Sequence, residues 1–485
     1  MSSSLKHKSF QGLTWSFIDN LSGNGISFII GIVLARLLSP TDFGLVGMVT
    51  IIFAIANTII ESGFSSGLIR KLNCTDEEYS TTFFFNIAVS GTLYVLLYFS
   101  APYIALFFNE QQLIHIIRIL GLIILIDSFS IVQRVILIRN INFKRQTTIS
   151  ITATISSGVV GILMAIKGYG VWSLVAQVIT RQTLNGLLLW ISSKWSPSFF
   201  FSISIFKELF RFGSKLLASG LIVTIQNNIY YLVIGRFFAP ASLGYYTRAL
   251  QFNSVLSETL LGSFERVTFP VLSSIQADSV HLKSTLRKVL RSSFFISFLA
   301  LTTLTVIAKP LILILIGPKW ETSILYLQLI CISTIFFSLN SININILKIK
   351  GRSDLILRLQ IIKAILLLPN ILAAILWGIP AMLAVSFFTS IISFLLNSQF
   401  ASKQVGYSTL EQLTDITPYF ISILIITIPM FCLSFINMNS YLLITSQLLI
   451  GGILFYKIFE KKKYTEYIEI KEMIFNRLIR KNKIE

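Results

Sequence analysis

About fourteen stretches of mostly apolar residues recur along this 485-residue chain, near 14–38, 44–67, 82–106, 113–134, 148–167, 170–191, 213–237, 247–272, 293–316, 323–347, 355–377, 379–400, 417–436 and 441–459. Runs of roughly 20 residues match the hydrocarbon thickness of a bilayer. In lipid the backbone must satisfy its own hydrogen bonds, and a chain of long apolar runs does so as α-helices. Only 13% of the residues are charged, against roughly 25% in soluble proteins. The expectation is an all-α polytopic membrane protein with about fourteen transmembrane helices and short loops. Residues 1–11 are polar and lack a cleavage site of small residues, and the first apolar run is too long for a signal-peptide core. It is expected to be retained.

The formal net charge is +19, which would suit a nucleic-acid binder, but its placement argues otherwise. Thirty of the 40 Lys and Arg residues fall in the even-numbered loops and at the two ends of the chain, whereas the odd-numbered loops hold about five, Arg36, Lys167, Arg236, Lys309 and Lys319. Positive charge concentrates on the cytoplasmic side of membrane proteins. Both termini are therefore expected in the cytoplasm, with no nucleic-acid partner. The tail, 460–485, carries an apolar stripe at Tyr467, Ile470, Ile474 and Leu478. Its spacing suits either an amphipathic helix on the anionic leaflet or a solvated tail.

A repeat organises the chain. Ala35-Arg-Leu-Leu-Ser-Pro-Thr-Asp-Phe-Gly44 returns as Gly235-Arg-Phe-Phe-Ala-Pro-Ala-Ser-Leu-Gly244, so Arg36, Pro40 and Gly44 match Arg236, Pro240 and Gly244 at one offset. Phe10, Leu21, Ile29, Val33 and Phe64 match Phe210, Leu221, Ile229, Val233 and Phe264 at the same offset. Each copy reads as an apolar helix, a tight Pro-to-Gly turn and a second apolar helix. Gly170, opening the sixth run, corresponds to Gly378, opening the twelfth. Six helices in the first half return the chain to its starting side, so the repeats are parallel. The expected domains are a six-helix lobe over 1–195, a second over 205–402, two further spanning helices over 410–459, and a basic cytoplasmic tail over 460–485.

Cys74, Cys331 and Cys432 lie far apart, as do His7, His115 and His281, with no metal-ligand or redox spacing. Charged residues inside the runs are costly to insert, about 2.5–3.5 kcal/mol each at a helix centre. Here they include Asp19, Glu61, Arg118, Asp127, Arg181, Arg248, Glu258, Glu265, Arg266 and Lys363, with Asn20, Asn24, Gln226, Asn227 and Asn228. Packing roles compete with functional ones. Asp127 and Arg181 can pair inside the first bundle, Asp19 and Glu61 can cap or pair with Lys8 or Arg70, Glu265 and Arg266 can snorkel, and Arg118 sits near the outer end of its run. Arg248 and Glu258 lie deeper and favour a water-filled cleft, which Lys363 can also reach. Such a cleft, rich in cations and amides, suits an anionic, hydroxyl-rich substrate.

Ile32–Met48, Glu61–Lys71, Gly170–Gln177 and Phe269–Gln276 resemble the polysaccharide transporter family. This is the O-antigen and colanic-acid type flippase group of the multidrug/oligosaccharidyl-lipid/polysaccharide exporter superfamily. The resemblance spans roughly residues 5–410. It implies a V-shaped, MATE-like arrangement of two parallel six-helix lobes plus two C-terminal helices. It also implies a flippase carrying an undecaprenyl-pyrophosphate-linked oligosaccharide between leaflets of the bacterial inner membrane by alternating access. The first two helices of each lobe would line the cleft. With Lys363 added from its depth, the substrate-binding candidates are Asn24, Gln226, Asn227, Arg248, Glu258, Arg266 and Lys363. Asp19 and Glu61 are the candidate ion-coupling carboxylates, for a proton or sodium gradient. No other cofactor and no metal is expected. The expected partners are membrane lipid, the lipid-linked oligosaccharide and polysaccharide polymerase machinery. The resemblance to the lipid II flippase is poorer, since the first run carries Asp19 and Asn24 and its one Arg, Arg36, sits at the outer end.

Three rivals use other chemistry. A multidrug-type cation antiporter on the same fold would need a net acidic cleft, and these charges are mixed. A membrane polymerase, ligase or acyltransferase would need a positioned acid, base or nucleophile and often a large outer loop. The outer loops here are only a few residues long. A purely structural scaffold would leave so many polar residues inside the helices unexplained.

Overall fold

The computed structural model describes residues 23–61, 64–71, 73–193, 195–468 and 471; at 212, 215, 263, 266 and 267 it describes the backbone alone. The described residues form helices joined by short connections. They are α1 (Gly23–Leu37), α2 (Pro40–Glu61), α3 (Phe64–Arg70), α4 (Asp76–Phe108), α5 (Leu113–Arg139), α6 (Phe143–Ile166), α7 (Val171–Ser192), α8 (Ile203–Phe237) and α9 (Pro240–Ser274). There follow α10 (Ser279–Leu315), α11 (Thr322–Ser333), α12 (Phe337–Ile349), α13 (Ser353–Ile365), α14 (Leu367–Trp377), α15 (Ile379–Val405), α16 (Thr409–Cys432) and α17 (Ser440–Lys462).

Eleven helical stretches among the described residues are long and apolar enough to cross a membrane. The three remaining expected runs are helical too where described, as α1, α7 and α9. Arg181 within α7, and Arg248, Glu258 and Glu265 within α9, dilute their apolar character. Large apolar side chains stand exposed along the spans: Phe99, Tyr103, Trp377 and Leu449 are 69%, 76%, 73% and 67% exposed. The chain is a multi-pass membrane protein.

Several boundaries differ from the expectation, for physical reasons. The run 323–347 breaks between α11 and α12, and 355–377 breaks between α13 and α14. Three helices are much longer than their apolar runs: α8 and α9 have 35 residues each and α10 has 37. Hydropathy marks only the part in lipid, while helical hydrogen bonding continues beyond it into polar sequence. The Pro-to-Gly segment is also not a turn. The chain reverses at Leu38 and Ser39, and Pro40 opens α2, where its missing N–H and fixed φ suit the first helical position. Ser39 and Asp42 close that end reciprocally: the Ser39 amide donates to Asp42 Oδ2 at 2.9 Å, and the Asp42 amide donates to Ser39 Oγ at 3.3 Å. Gly170 and Gly378 do what the repeat implies, each as the residue just before a helix, with φ of +54° and +88°.

The structure divides into two compact units, Met1–Thr247 and Arg248–Glu485, the division falling within α9. In the first unit, Ala56 and Ile60 of α2 pack with Ile124 and Ile131 of α5. Nearer the other end, Phe64 and Leu68 of α3 pack with Val135 of α5 and Leu209 of α8. In the second unit, α10 carries a basic row, Lys283, Arg287 and Arg291, one helical turn apart. It meets an acidic row on α16: Lys283 pairs with Glu411 at 2.9 Å, and Arg287 with Asp415 at 2.5 Å. Asp415 is 6% exposed and also accepts the Tyr407 hydroxyl at 2.6 Å. Arg291 pairs with Glu466, beyond α17, and Glu466 also accepts the hydroxyl of Tyr419. Burial, and next the bond to Asp415, raise the Tyr407 hydroxyl well above the ordinary phenol range.

The expected tail stripe is described only at Tyr467. That ring packs against Phe455 and Phe459 of α17, and its hydroxyl donates to Glu460 at 3.1 Å. Ile470, Ile474 and Leu478 lie outside the described residues.

Candidate functional site

The two copies of the repeated segment meet inside the first unit, and they meet reciprocally. A β-carbon built on Gly44 would fall 1.7 Å from the Pro240 carbonyl oxygen, and one built on Gly244 would fall 1.9 Å from the Pro40 carbonyl oxygen. Each glycine thus admits the first residue of the other copy's helix against its own backbone. Any side chain would overlap a carbonyl that no rotamer change can move. This pairwise exchange is what an approximate twofold axis produces. Small residues extend the seam. Gly47 faces Leu243 and Thr247, and Gly235 lies against Met48 and Phe108. Close approach of this kind is the usual way for membrane helices to associate, because packing replaces the hydrophobic force that lipid cannot supply.

Further along, α2 and α8 exchange a polar contact. Thr58 and Thr224 place their hydroxyls 2.8 Å apart. Thr58 also bonds back to the Ala54 carbonyl at 2.8 Å, and Asn228 donates to the Thr224 carbonyl at 2.9 Å. Glu61 lies three residues beyond Thr58 on the same helical face, at the last residue of α2, and is exposed. Gln226 is half-buried and Asn227 exposed, one turn or less from Thr224. Of the expected residues, Glu61, Gln226 and Asn227 thus lie within a turn of this threonine pair along α2 and α8, with Gln226 on a different face of α8 from Thr224.

Asn24 is exposed near the start of the described part of α1. In the second unit Arg248 is half-buried and Glu258 is exposed ten residues further along α9. Lys363 is half-buried near the end of α13. Glu258 and Lys363 form no ion pair with each other or with another described residue. Asp19 and the Arg266 side chain lie outside the described residues. The repeat holds the signal that could have found the threonines. At the offset of 200, Thr58 corresponds to Glu258 and Thr224 to Asn24. Two nominated residues are thus the repeat partners of the two that were missed.

Other half-buried charges have partners within their own unit. Asp127 pairs with Arg134 on its own helix at 3.3 Å. Arg118 stacks 4.3 Å from the centre of the Tyr98 ring, and Glu265 accepts the hydroxyl of Ser341. At the basic end of the first unit, Lys71 joins Glu208 of α8 at 2.8 Å and Glu78 of α4 at 2.6 Å. Those bonds, Glu208 first, raise its ammonium above the usual lysine range. Arg139 donates to the carbonyls of Leu68 and Lys71, satisfying the exposed end of α3.

This arrangement, spanning helices from paired repeats joined by a glycine seam, is the fold of a class of membrane transporters. A solved structure of the lipid II flippase MurJ in an inward closed conformation superposes with a TM-score of 0.74 over 95% of this chain and 100% of that one, at 16% identity. An inward-facing MATE-family multidrug resistance transporter superposes with a TM-score of 0.63 over 80% of this chain and 96% of that one, at 15% identity. At such identities the likeness is one of fold alone. The family follows from sequence: residues 33–325 match the family described as polysaccharide biosynthesis protein, and this chain belongs to it. It is 27% identical over 357 residues to the teichuronic acid biosynthesis protein TuaB of Bacillus subtilis, covering 73% of each chain. It is 25% identical over 374 residues to the lipopolysaccharide biosynthesis protein WzxC of Escherichia coli, covering 76% of this chain and 75% of that one.

Proposed function

We propose that this protein is a flippase. It carries an undecaprenyl-pyrophosphate-linked oligosaccharide, the repeat unit of an O-antigen, capsule or exopolysaccharide, from the inner to the outer leaflet of a bacterial cytoplasmic membrane. Both termini face the cytoplasm. The observation that carries this reading is the reciprocal seam of Gly44 on Pro240 and Gly244 on Pro40. A contact made of backbone and small side chains can separate and re-form at low energetic cost, which alternating access demands. The family and the two relatives, named for cell-surface polysaccharides, supply the substrate class.

In this reading the charged headgroup is drawn through the protein while the polyprenyl tail stays in lipid. Arg248, Arg266 and Lys363 neutralise the pyrophosphate, and Asn24, Gln226, Asn227 and Glu258 bond the sugar hydroxyls. Asp19 or Glu61 couples the cycle to a proton or sodium gradient. Polysaccharide polymerase machinery receives the product.

Depletion of the protein in its host is expected to accumulate a lipid-linked oligosaccharide on the inner leaflet, measured by leaflet-selective enzymatic labelling. An unchanged leaflet distribution would remove the reading. The double substitution Arg248→Ala with Arg266→Ala is expected to abolish translocation by reconstituted protein while leaving insertion intact. Retained translocation would eliminate the cationic role. Binding of organic cations by the purified protein, without binding of the lipid-linked sugar, would favour an antiporter.

A further inference from the structure

The connection between α7 and α8 is an apolar loop held outward by bonds that fix its backbone. Ser198 and Ser80 place their hydroxyls 2.9 Å apart, the Ser198 amide donates to Ser80 Oγ at 3.1 Å, and the Ser202 amide donates to Thr81 Oγ1 at 3.2 Å. Ser80 and Thr81 are fully buried in α4. Trp195 sets its ring edge-on against Tyr79 and Phe83, each 5.9 Å away. A loop so tethered would be expected to fold its aromatic residues inward. Instead Phe199 is 100% exposed, Phe201 50% and Ile203 63%.

The helix that follows continues the pattern. Its apolar run begins near residue 213, so the stretch of α8 before it, with Lys207, Glu208 and Arg211, projects beyond the lipid-crossing part. At about 1.5 Å per residue, the 35 residues of α8 reach well past a hydrocarbon core of about 30 Å. On this projection Phe206 and Leu209 face the bundle, packing with Phe64 and Leu68, while Phe210, Lys207 and Arg211 are exposed. Aromatic residues beside Lys and Arg at the end of a spanning helix make the composition of an interfacial anchor.

We infer that Phe199, Phe201, Ile203 and Phe210 form an anchor that lies in the bilayer interface at the basic end of the first unit. Lys207 and Arg211 face anionic headgroups there. The occupant of this surface is the leaflet itself. The exposed apolar residues run from the loop into the first turns of α8 at Ile203 and Phe210, the flanking charges are complementary to an anionic surface, and the loop is tied to α4 so that its rings stay presented. The anchor would fix the depth and tilt of the basic ends of α4 and α8 together. This inference needs only that the chain spans a membrane, and it stands or falls separately from the transport reading.

The test uses the full chain reconstituted in vesicles of lipid alone, about one-third of it anionic, a composition chosen for the surface potential it sets. Cys74 and Cys432 are replaced by Ser, and a spin label is placed at Phe199→Cys. Collision with oxygen, which concentrates in lipid, is compared with collision with a water-soluble nickel chelate. Oxygen is expected to dominate. As a second measurement, Phe199→Trp should add emission that lipids brominated near the headgroup quench more than aqueous acrylamide does. Dominance of nickel or acrylamide in pure-lipid vesicles would overturn the inference. So would protection seen only in native membranes, since that would point to a protein partner.

Discussion

Two seams of this molecule join long helices by opposite means. In the first unit, the start of α2 meets the start of α9 through Gly44, Pro240, Gly244 and Pro40, backbone against backbone. In the second, α10 meets α16 and the residues after α17 through Lys283, Arg287, Arg291, Glu411, Asp415 and Glu466. The Gly and Pro contacts of the first seam are dispersion and shape, which fade within an ångström of separation, and the residues that make them carry no charge. The second would strand the buried carboxylates of Asp415 and Glu466 if it opened, and stranding a buried charge is strongly unfavourable. The contact where the repeats meet is thus one of shape, and the contact that binds the two extra C-terminal helices to α10 is one of charge.

The largest effect is expected from Gly44→Ala combined with Gly244→Ala. The added methyl groups collide with main-chain carbonyls, and overpacking of this kind costs about 1–3 kcal/mol per site. Thermal unfolding of the purified protein should show the loss, and translocation should fall more steeply than stability, because the seam can no longer close. A double variant with wild-type unfolding temperature and transport would break the comparison.

Next comes Asp415→Asn. It removes a 6% exposed carboxylate bonded by both Arg287 and Tyr407. Arg287 is half-exposed and can turn to water, so a loss of about 1–3 kcal/mol is expected, read from the same unfolding measurement. If Asp415→Asn were neutral, the second seam would owe its stability to its aromatic contacts alone.

A pH effect sharpens the point. Tyr407 has its pKa raised by burial and by its bond to Asp415. Its stabilisation is therefore fully present below the unfolded phenol value of about 10 and is lost as pH rises above it. Stability should fall in that alkaline window, and Tyr407→Phe should fall less. An equal fall in both would remove the assignment.

The smallest effect is expected from Lys283→Ala. Its pair with Glu411 has side chains 36% and 42% exposed, and such pairs contribute about 0–1 kcal/mol. The loss should shrink further at high salt, unlike that of Asp415→Asn.

Much of the architecture was legible in the sequence. Apolar length alone marks the spanning helices, because lipid thickness is fixed. The 200-residue offset of Arg36, Pro40 and Gly44 with Arg236, Pro240 and Gly244 marked the segments that would correspond. Helix ends were less legible. At Pro40 the same residue types serve a turn or a helix start, and only the bonds of Ser39 with Asp42 decide between them. Thr58 and Thr224 were legible only as the repeat partners of Glu258 and Asn24; that they meet was not, since a hydroxyl that can bond its own helix carries no sequence signature of a partner on another.

By itself the sequence determined that this chain lives in a membrane, where its apolar helices run, and that two of its parts correspond, because each follows from composition or from comparing the chain with itself. What the matching glycines are for, and which of the charged residues find partners, came only with the tertiary structure. Those outcomes depend on which residues, distant along the chain, are brought within a few ångströms, and no local pattern encodes that distance.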